Sequence, residues 1–492
     1  MLSKHSPIAL VWLKRDLRLE DHEALTVALE NHKLVLILYV AEDFLLEDPH
    51  CSERHLNFKK ESLQDLNTQL RPFNTEVLAL QGELISIVKQ LQETFSIAAL
   101  YSHFETGIQA TFIRDTKVKK WLNTKGISWF EFQQQGVFRG LKNRKNWIQK
   151  WEAFMQQPIR PFPKEQKFLN LKHLKKIKAQ FQVLDLSTTT SSSIQPGGIS
   201  YAKKYLDSFF EGRYLHYQKH ISKPDLSRKS CSRLSPYLAY GNLSMRVVLQ
   251  RTASEKLNGK KGFGIRAFES RLRWQSHFIQ KFEMECSMEF KSINKGFHRL
   301  LKPVNPEFIK AWEEGRTGVP MVDVAMRCLV TTGYLNFRMG AMVVSFFVHQ
   351  LWQPWQQCSA FLARQFLDFE PGIHFPQVQM QAGETGTNTL RIYNPVKNGH
   401  EHDSQGYFTK QWIPELKSLP PALVHTPWVI TNFEEKLYEF KKGVSYPNLI
   451  VDLEKSRKYA TETLWELRKM QEVKQESMRI LKQHTLNNRS LS

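Results

Sequence analysis

The chain has 492 residues, 41% of them hydrophobic and 24% charged, so it can bury more than one core and two domains are the natural expectation. Lys and Arg number 69 against 48 Asp and Glu, a formal charge of +21. That charge favours a polyanion, nucleic acid ahead of a generic basic surface, because a basic face binds nucleic acid by releasing its counterions. Charges interrupt the apolar stretch near the N-terminus and no apolar run is long enough to span a bilayer, so a cytoplasmic protein with no membrane contact and no signal peptide is expected. The five cysteines form no CxxC pair, so neither a disulfide framework nor a metal site is expected.

From residue 8 to about 135, the apolar runs IALVWL, LVLILYV, EVLALQG, IAALYSH and ISWFEF alternate with helical patterns such as ESLQDLNTQL and LISIVKQLQETF. Continuous strands separated by helices predict a doubly wound parallel sheet, Rossmann-like, over residues 1–135. Ligands of such sheets bind at the carboxyl ends of the strands, which makes loop 14–21 a candidate pocket rim, although no GxGxxG supports a dinucleotide there. Residues 136–200 lose the strand pattern and reach STTTSSSIQPGG, read as an interdomain linker. Residues 201–480 have helical period, as in FESRLRWQSHFIQKF and AMVVSFFVHQLWQPW, interrupted by the non-helical stretch EPGIHFPQVQMQAGETGTNTLRIYNP. Residues 481–492 read as a polar tail.

Within the helical half, AWEEGRTGVPMVDVAMRCLVTTGYLNFRMG places Val322, Ala325, Met326, Leu329 and Val330 on one helical face, with Pro320 suited to the first turn and Gly333 to the C-cap. A core helix explains the stripe but not the interior Asp323 or the polar exit at Asn336 and Arg338. Upstream, Ser232, Arg233, Leu234 and Ser235 precede a helix, where hydroxyls and free N–H groups could cradle a phosphate or simply cap the helix. Among Trp274, Trp312, Trp352 and Trp355, core packing accounts for most. Trp274 lies among polar residues in RLRWQSHF and suits stacking on a splayed base.

VWLKRDLRLEDHEAL, SRLSPYLAYGNLS, RLRWQSHF, AWEEGRTGVPMVDVAMRCLVTTGY and RIYNPVKNGHEHDSQGYFTKQWIPEL, in that order, resemble the cryptochrome and DNA photolyase family over nearly the whole chain. The resemblance implies an N-terminal α/β domain able to hold a second, antenna chromophore. It also implies a C-terminal all-helical domain that binds a U-shaped FAD, with the opening stretch of that helix forming part of the FAD pocket wall. Blue light would drive an electron from reduced flavin to a pyrimidine dimer flipped out of UV-damaged DNA, and the protein would act as a monomer. It further implies Tyr217, Ser232, Arg233, Leu234, Ser235, Gln275, Asp368 and Glu370 as cofactor-binding residues, Arg271, Trp274, Asn336, Arg338 and Met380 as the DNA and lesion contacts, and Trp274, Trp355 and His374 as residues of the chemistry.

Departures from the family pattern accompany these matches. Arg271 stands where familiar photolyases have a lesion-binding glutamate, and Gly340 where an arginine would partner Asp368. Met380 replaces the second lesion-stacking tryptophan, while Val378 and Lys302 replace the inner and outer members of the usual electron relay, leaving Trp355 alone. Neither the paired histidines of animal-type (6-4) photolyases nor the cysteine cluster of the iron-sulfur branch is present, so an atypical microbial branch is implied. His374 matches the position that faces flavin N5, where an imidazole with a reference pKa of about 6.5 would give or withhold a proton near neutrality. A light-driven DNA photolyase is the leading expectation, and a cryptochrome-type photoreceptor the alternative.

Overall fold

In the computed structural model, which describes residues 6–163, 167–189 and 191–485, the five apolar runs are strands β1 (Pro7–Leu13), β2 (Val35–Ala41), β3 (Leu78–Gln81), β4 (Ser96–His103) and β5 (Ser128–Phe132). All pair in parallel, in the order β3-β2-β1-β4-β5. β1 and β2 read as continuous apolar runs because both faces of the sheet are covered. Leu10, Trp12 and Leu38 pack with Val88 and Leu122 of the helices Leu84–Gln92 and Gln109–Thr124. On the opposite face Val11 and Ile37 join a core that continues through Leu66 and Trp147 into Leu206, Tyr237 and Leu272 of the helical half.

Strand order reverses between β1 and β4, and a buried polar cluster sits there. His103 Nδ1 lies 2.7 Å from the Asp16 carboxylate and His22 Nε2 lies 3.1 Å from it. His22 Nδ1 accepts the Leu25 N–H, so in the neutral ring the proton is on Nε2, the nitrogen nearer Asp16. Burial works against this carboxylate, yet the charge and hydrogen bonds of His22 and His103 hold it well below its usual range. The three side chains lie close enough to grip a cation, but His103 Nδ1 is engaged by the Asp16 carboxylate.

Loop 14–21, expected as a pocket rim, is instead a clasp onto the helical half. Leu17 N–H donates to Tyr240 O (3.1 Å), Arg18 to Gly241 O (3.1 Å) and Asn242 Nδ2 to Leu17 O (3.0 Å), while Asp21 accepts from Ser244 (2.6 Å) and Arg246 (3.1 Å). The approach is so close that a Cβ on Gly241 (φ +70°) would lie 2.3 Å from Arg15 O. Between β5 and the helix Ile199–Glu211 the chain is fastened to the sheet by bridges Val35↔Phe168 and Leu80↔Val183, and its helix Trp147–Met155 buries Trp147 and Trp151.

The helix Pro320–Thr332 starts at Pro320 and ends on Gly333 (φ +69°). Its expected stripe is buried at Val322, Ala325, Met326 and Leu329, but Val330 is 41% exposed, because the buried arc turns instead through Met321, Val324 and Cys328. Asp323 is explained by the Arg-Thr-Gly segment before the helix: its carboxylate accepts the Thr317 N–H (2.8 Å), the Thr317 hydroxyl (2.6 Å), the Gly318 N–H (3.1 Å) and the Tyr446 hydroxyl. Burial raises this carboxyl to about 6.

Two elements differ from expectation. The stretch expected to be non-helical contains the helix Pro371–Gln381, with Pro376 inside it. Packing against the helix Phe263–Met284 overrides the proline, and the contact is so tight that a Cβ on Gly372 would lie 2.7 Å from Ile279 Cα. The last helix, Gln471–His484, runs into the expected polar tail and buries Val473 and Ile480; residues 486–492 lie outside the described residues. Among the described residues no helix is long and apolar enough to cross a membrane.

Candidate cofactor and nucleic-acid site

A cavity of about 1290 Å³ opens in the helical half, larger than the roughly 300–1,000 Å³ of ordinary small-molecule pockets. Its walls come mainly from residues 231–239, one face of the helix Phe263–Met284, residues 334–344 and residues 366–393, with smaller contributions that include Trp147, Tyr217 and residues 480–485. The helix Pro320–Thr332, expected to contribute wall, lies one layer behind. It is buried on so many sides that the lining passes to Tyr334, Asn336, Gly340 and Ala341 after it.

At one end stands the 232–235 segment. Arg213 donates to the carbonyls of Cys231 and Ser232 from behind, and Gln195 Nε2 donates to Arg233 O (2.7 Å). With these carbonyls held, Arg233 adopts a left-handed backbone (φ +60°), a conformation that costs a non-glycine residue free energy and collects at functional sites. Its guanidinium stacks on Tyr334 at 3.6 Å, and its Nε has no partner among the described residues. Asp368, from a segment more than a hundred residues away, meets this motif: burial raises its carboxyl, opposed by a hydrogen bond from Ser235 and by the charge of Arg233. Asp368 thus has neighbours where Gly340 supplies none, and Gly340 is relaxed, its nearest would-be Cβ contact being Phe366 at 3.6 Å. Tyr217 and Gln275 also line this cavity; burial pushes the Tyr217 phenol up.

Glu370 forms part of the wall but turns to Arg15 of the clasp, at 3.1 Å. Arg15 also donates to Phe369 O (2.7 Å) and Ala239 O (2.9 Å), so one side chain from the loop after β1 ties together two cavity walls. Burial lifts the Glu370 carboxyl to about 7 despite Arg15. Sequence reasoning marked the loop but not this role; the signal was a basic residue at the carboxyl end of β1.

At the mouth, Trp274 is 45% exposed, packed on His277 and Phe278 (ring centroids 5.7 and 5.6 Å). Arg271 and Met380 line the same cavity. Asn336 also lines it, but its side chain is engaged in capping Met339 N–H (2.9 Å) and donating to Ser227 Oγ (3.2 Å). Arg338 lies outside the lining, with Nε lacking a partner among the described residues.

His374 lines the cavity, but the expectation that it titrates near neutrality is not met. Burial pushes its pKa down to about 3, and its Nε2 lies 2.9 Å from Ser359 O. Only an N–H can meet a carbonyl, so Nε2 carries the proton and Nδ1 is an unprotonated acceptor. Trp355 is buried behind the wall, its Nε1–H donating to Ser292 Oγ (3.1 Å), which donates on to Glu384 (2.5 Å). Lys302 pairs with Glu384 (3.6 Å) and holds its ammonium 4.6 Å above the Trp352 ring. Tyr393 lines the cavity directly.

Residues 9–153 match the family model described as DNA photolyase, and residues 268–466 match the FAD-binding domain of DNA photolyase. Among curated relatives, the chain is 26% identical to a deoxyribodipyrimidine photo-lyase of Escherichia coli, covering 91% of this chain and 96% of that one. It is 25% identical to a cryptochrome DASH of Gloeobacter violaceus, covering 90% and 93%. In structure it matches a cryptochrome of Synechocystis sp. with a TM-score of 0.84 at 21% identity, over 94% of this chain and all (100%) of that one. With both halves matched and a cavity built between the phosphate-type motif and an exposed indole, the chain belongs to the FAD-binding DNA photolyase and cryptochrome family.

Proposed function

We propose that the protein is a blue-light-driven, FAD-dependent DNA photolyase that splits UV-induced pyrimidine dimers. The observation that carries this reading is Trp274: a large indole left exposed at the mouth of the same cavity whose floor holds the Ser232, Ser235 and Asp368 cluster. A base swung out of a duplex needs such a platform, with an apolar residue opposite, and Met380 supplies the latter.

The donor set fits a flavin dinucleotide. Ser232, Arg233 and Ser235 offer hydroxyls and a cation for its phosphates, Asp368 and Tyr217 stand within the same wall, and Gln377 brings to the lining an Oε1 with no partner among the described residues. When bound and reduced, the flavin supplies the electron that light makes available to the lesion. This chain's residues do the rest. Trp274 holds the lesion, Arg271 places a cation at the mouth for strand phosphate, and neutral His374 offers only an acceptor at Nδ1, so it withholds a proton from its neighbour. The apolar Val344, Leu362 and Ile373 line the inner wall and exclude water. A second chromophore on the N-terminal domain remains part of the reading, as does a monomer working in the cytoplasm.

The photoreceptor reading is favoured by one observation, the isolation of Trp355 from any second relay tryptophan at Val378 or Lys302. Oligonucleotides carrying defined cyclobutane or (6-4) dimers, incubated with the flavin-loaded protein in light and in darkness, separate the two. Light-dependent recovery of intact pyrimidines supports repair; none with either lesion supports the receptor.

A further inference from the structure

The helix Phe263–Met284 carries Trp274, His277, Phe278 and Lys281 into the cavity at helical spacing. Lys281 lies two turns beyond Trp274, about 10 Å along the axis. It is only 8% exposed and has no hydrogen bond or ion pair within the described residues. Glu285, one turn further on, acts on it through its charge but forms no ion pair with it, its oxygens lying 2.7 Å from His484 and 2.8 Å from Arg479. Beside it Arg144 is 1% exposed. Arg144 donates from Nη2 to His277 O (2.7 Å) and lies 5.0 Å over the Trp147 ring, while its Nε and Nη1 have no partner among the described residues.

Lys281 thus has the Arg144 cation beside it and feels only the charge of Glu285, a carboxylate already paired with Arg479, which also pairs with Glu476 (3.0 Å). Burial of a charge without a partner is costly unless something pairs with it. Burial, with the nearby Arg144 charge and against that of Glu285, lowers Lys281 to about 8, which still leaves it mostly protonated at neutrality. The outer side of this lobe is made by Ile480, Leu481, His484 and Thr485 of the last helix, so the extension that reads as a polar tail completes the wall.

We propose that Lys281, with Arg144 behind it and His484 beside it, forms a subsite for the phosphate group of a nucleotide whose base rests against Trp274. This rests on the reading of Trp274 as a base platform. A nucleotide reaches from a ring on Trp274 to an oxyanion at Lys281, whose ammonium is the donor that lines the cavity, with the Arg144 charge behind it. The phosphate belongs either to the strand that carries the base or to a free mononucleotide.

Calorimetric titration of the flavin-loaded protein with thymidine, thymidine monophosphate and inorganic phosphate tests this. The monophosphate should bind about tenfold or more tightly than the nucleoside, the gain expected of a charge-assisted hydrogen bond, and inorganic phosphate should compete with it. Lys281→Gln should erase that preference and Lys281→Arg should restore it. For a dimer-containing single strand, Lys281→Gln should lower the salt dependence of binding by about 0.7 in log–log slope if the strand's own phosphate occupies the site. An unchanged slope with the mononucleotide preference lost assigns the site to the free nucleotide. Equal affinity for nucleoside and monophosphate in the parent, or a preference that survives Lys281→Gln, overturns the subsite. A phosphate preference without light-dependent repair would overturn the photolyase reading and leave the subsite standing.

Discussion

The carboxyl end of the sheet and the cavity of the helical half are both rich in buried charge, yet they handle it in opposite ways. At the sheet, Arg114 pairs with Glu42 (2.6 Å), Glu105 (2.9 Å) and Asp115 (2.8 Å), and Lys14 takes the other Asp115 oxygen (3.4 Å). The hollows there are about 10 and 20 Å³. In the helical half the cavity is about 1290 Å³, and around it Lys281, the Arg233 Nε and the Gln377 Oε1 have no partner among the described residues. The difference teaches how to separate structural from functional charge here. A charge that the fold itself neutralises holds the fold, and a charge left facing a cavity is there for something that enters it.

Truncations should expose that contrast first. Arg114→Met leaves Glu42, Glu105 and Asp115 buried without their cation and should cost about 3–5 kcal/mol, the usual penalty for half of a buried pair. Lys281→Met removes a cation with no ion pair and should cost nothing measurable. Urea denaturation of both variants checks this, and equal losses would erase the distinction between the two regions.

A smaller effect belongs to the joint between them. Burial lifts Glu370 from 4.5 to about 7, so the folded protein holds that proton more tightly than the unfolded chain does. The stability from this group is complete below about pH 4.5 and is lost as pH rises through about 7, at no more than about 1.4 kcal/mol per unit. Asp323, raised to about 6, adds the same sign over a narrower window. Glu370→Gln should therefore flatten the decline in stability between about pH 5 and about pH 8 without abolishing it. Thermal unfolding across that range is the check, and an unaltered slope would mean the Arg15 pair is ionised throughout.

Much of this arrangement was legible in the sequence. The five strands were readable because burial on both faces writes an uninterrupted apolar run, and the 232–235 motif and Trp274 because their neighbours are polar where a core would be apolar. Arg15 was not, since its acceptors Ala239 and Phe369 lie 224 and 354 residues away. Lys281 looked like one more lysine in a basic chain, and only burial beside an already committed Glu285 singles it out. Val330 and the helix around Pro376 were misread for one reason: local period and propensity yield to tertiary packing. The His374 pKa could not be anticipated because Ser359 and the surrounding burial set it.

The subtlest comparison concerns electron supply. The Lys302 ammonium 4.6 Å above Trp352 opposes formation of an indole cation there. Tyr393 lines the cavity, and among the described residues no cation lies over its ring. Tyr393→Phe should slow light-driven flavin reduction severalfold while Trp352→Phe leaves it close to the parental rate. Equal slowing by both would return Trp352 to the route.

The most direct test of the cavity's role is repair at saturating DNA by parent and Trp274→Ala, both flavin-loaded and reduced, under blue light and in darkness. The parent should restore intact pyrimidines only in the light. Trp274→Ala should lose most of that yield, together with about 1–3 kcal/mol of selectivity for damaged over undamaged strands, while keeping its salt-dependent grip on undamaged DNA. Dimers that persist in the illuminated parent, or a Trp274→Ala yield equal to the parent's, would contradict a lesion held on this indole.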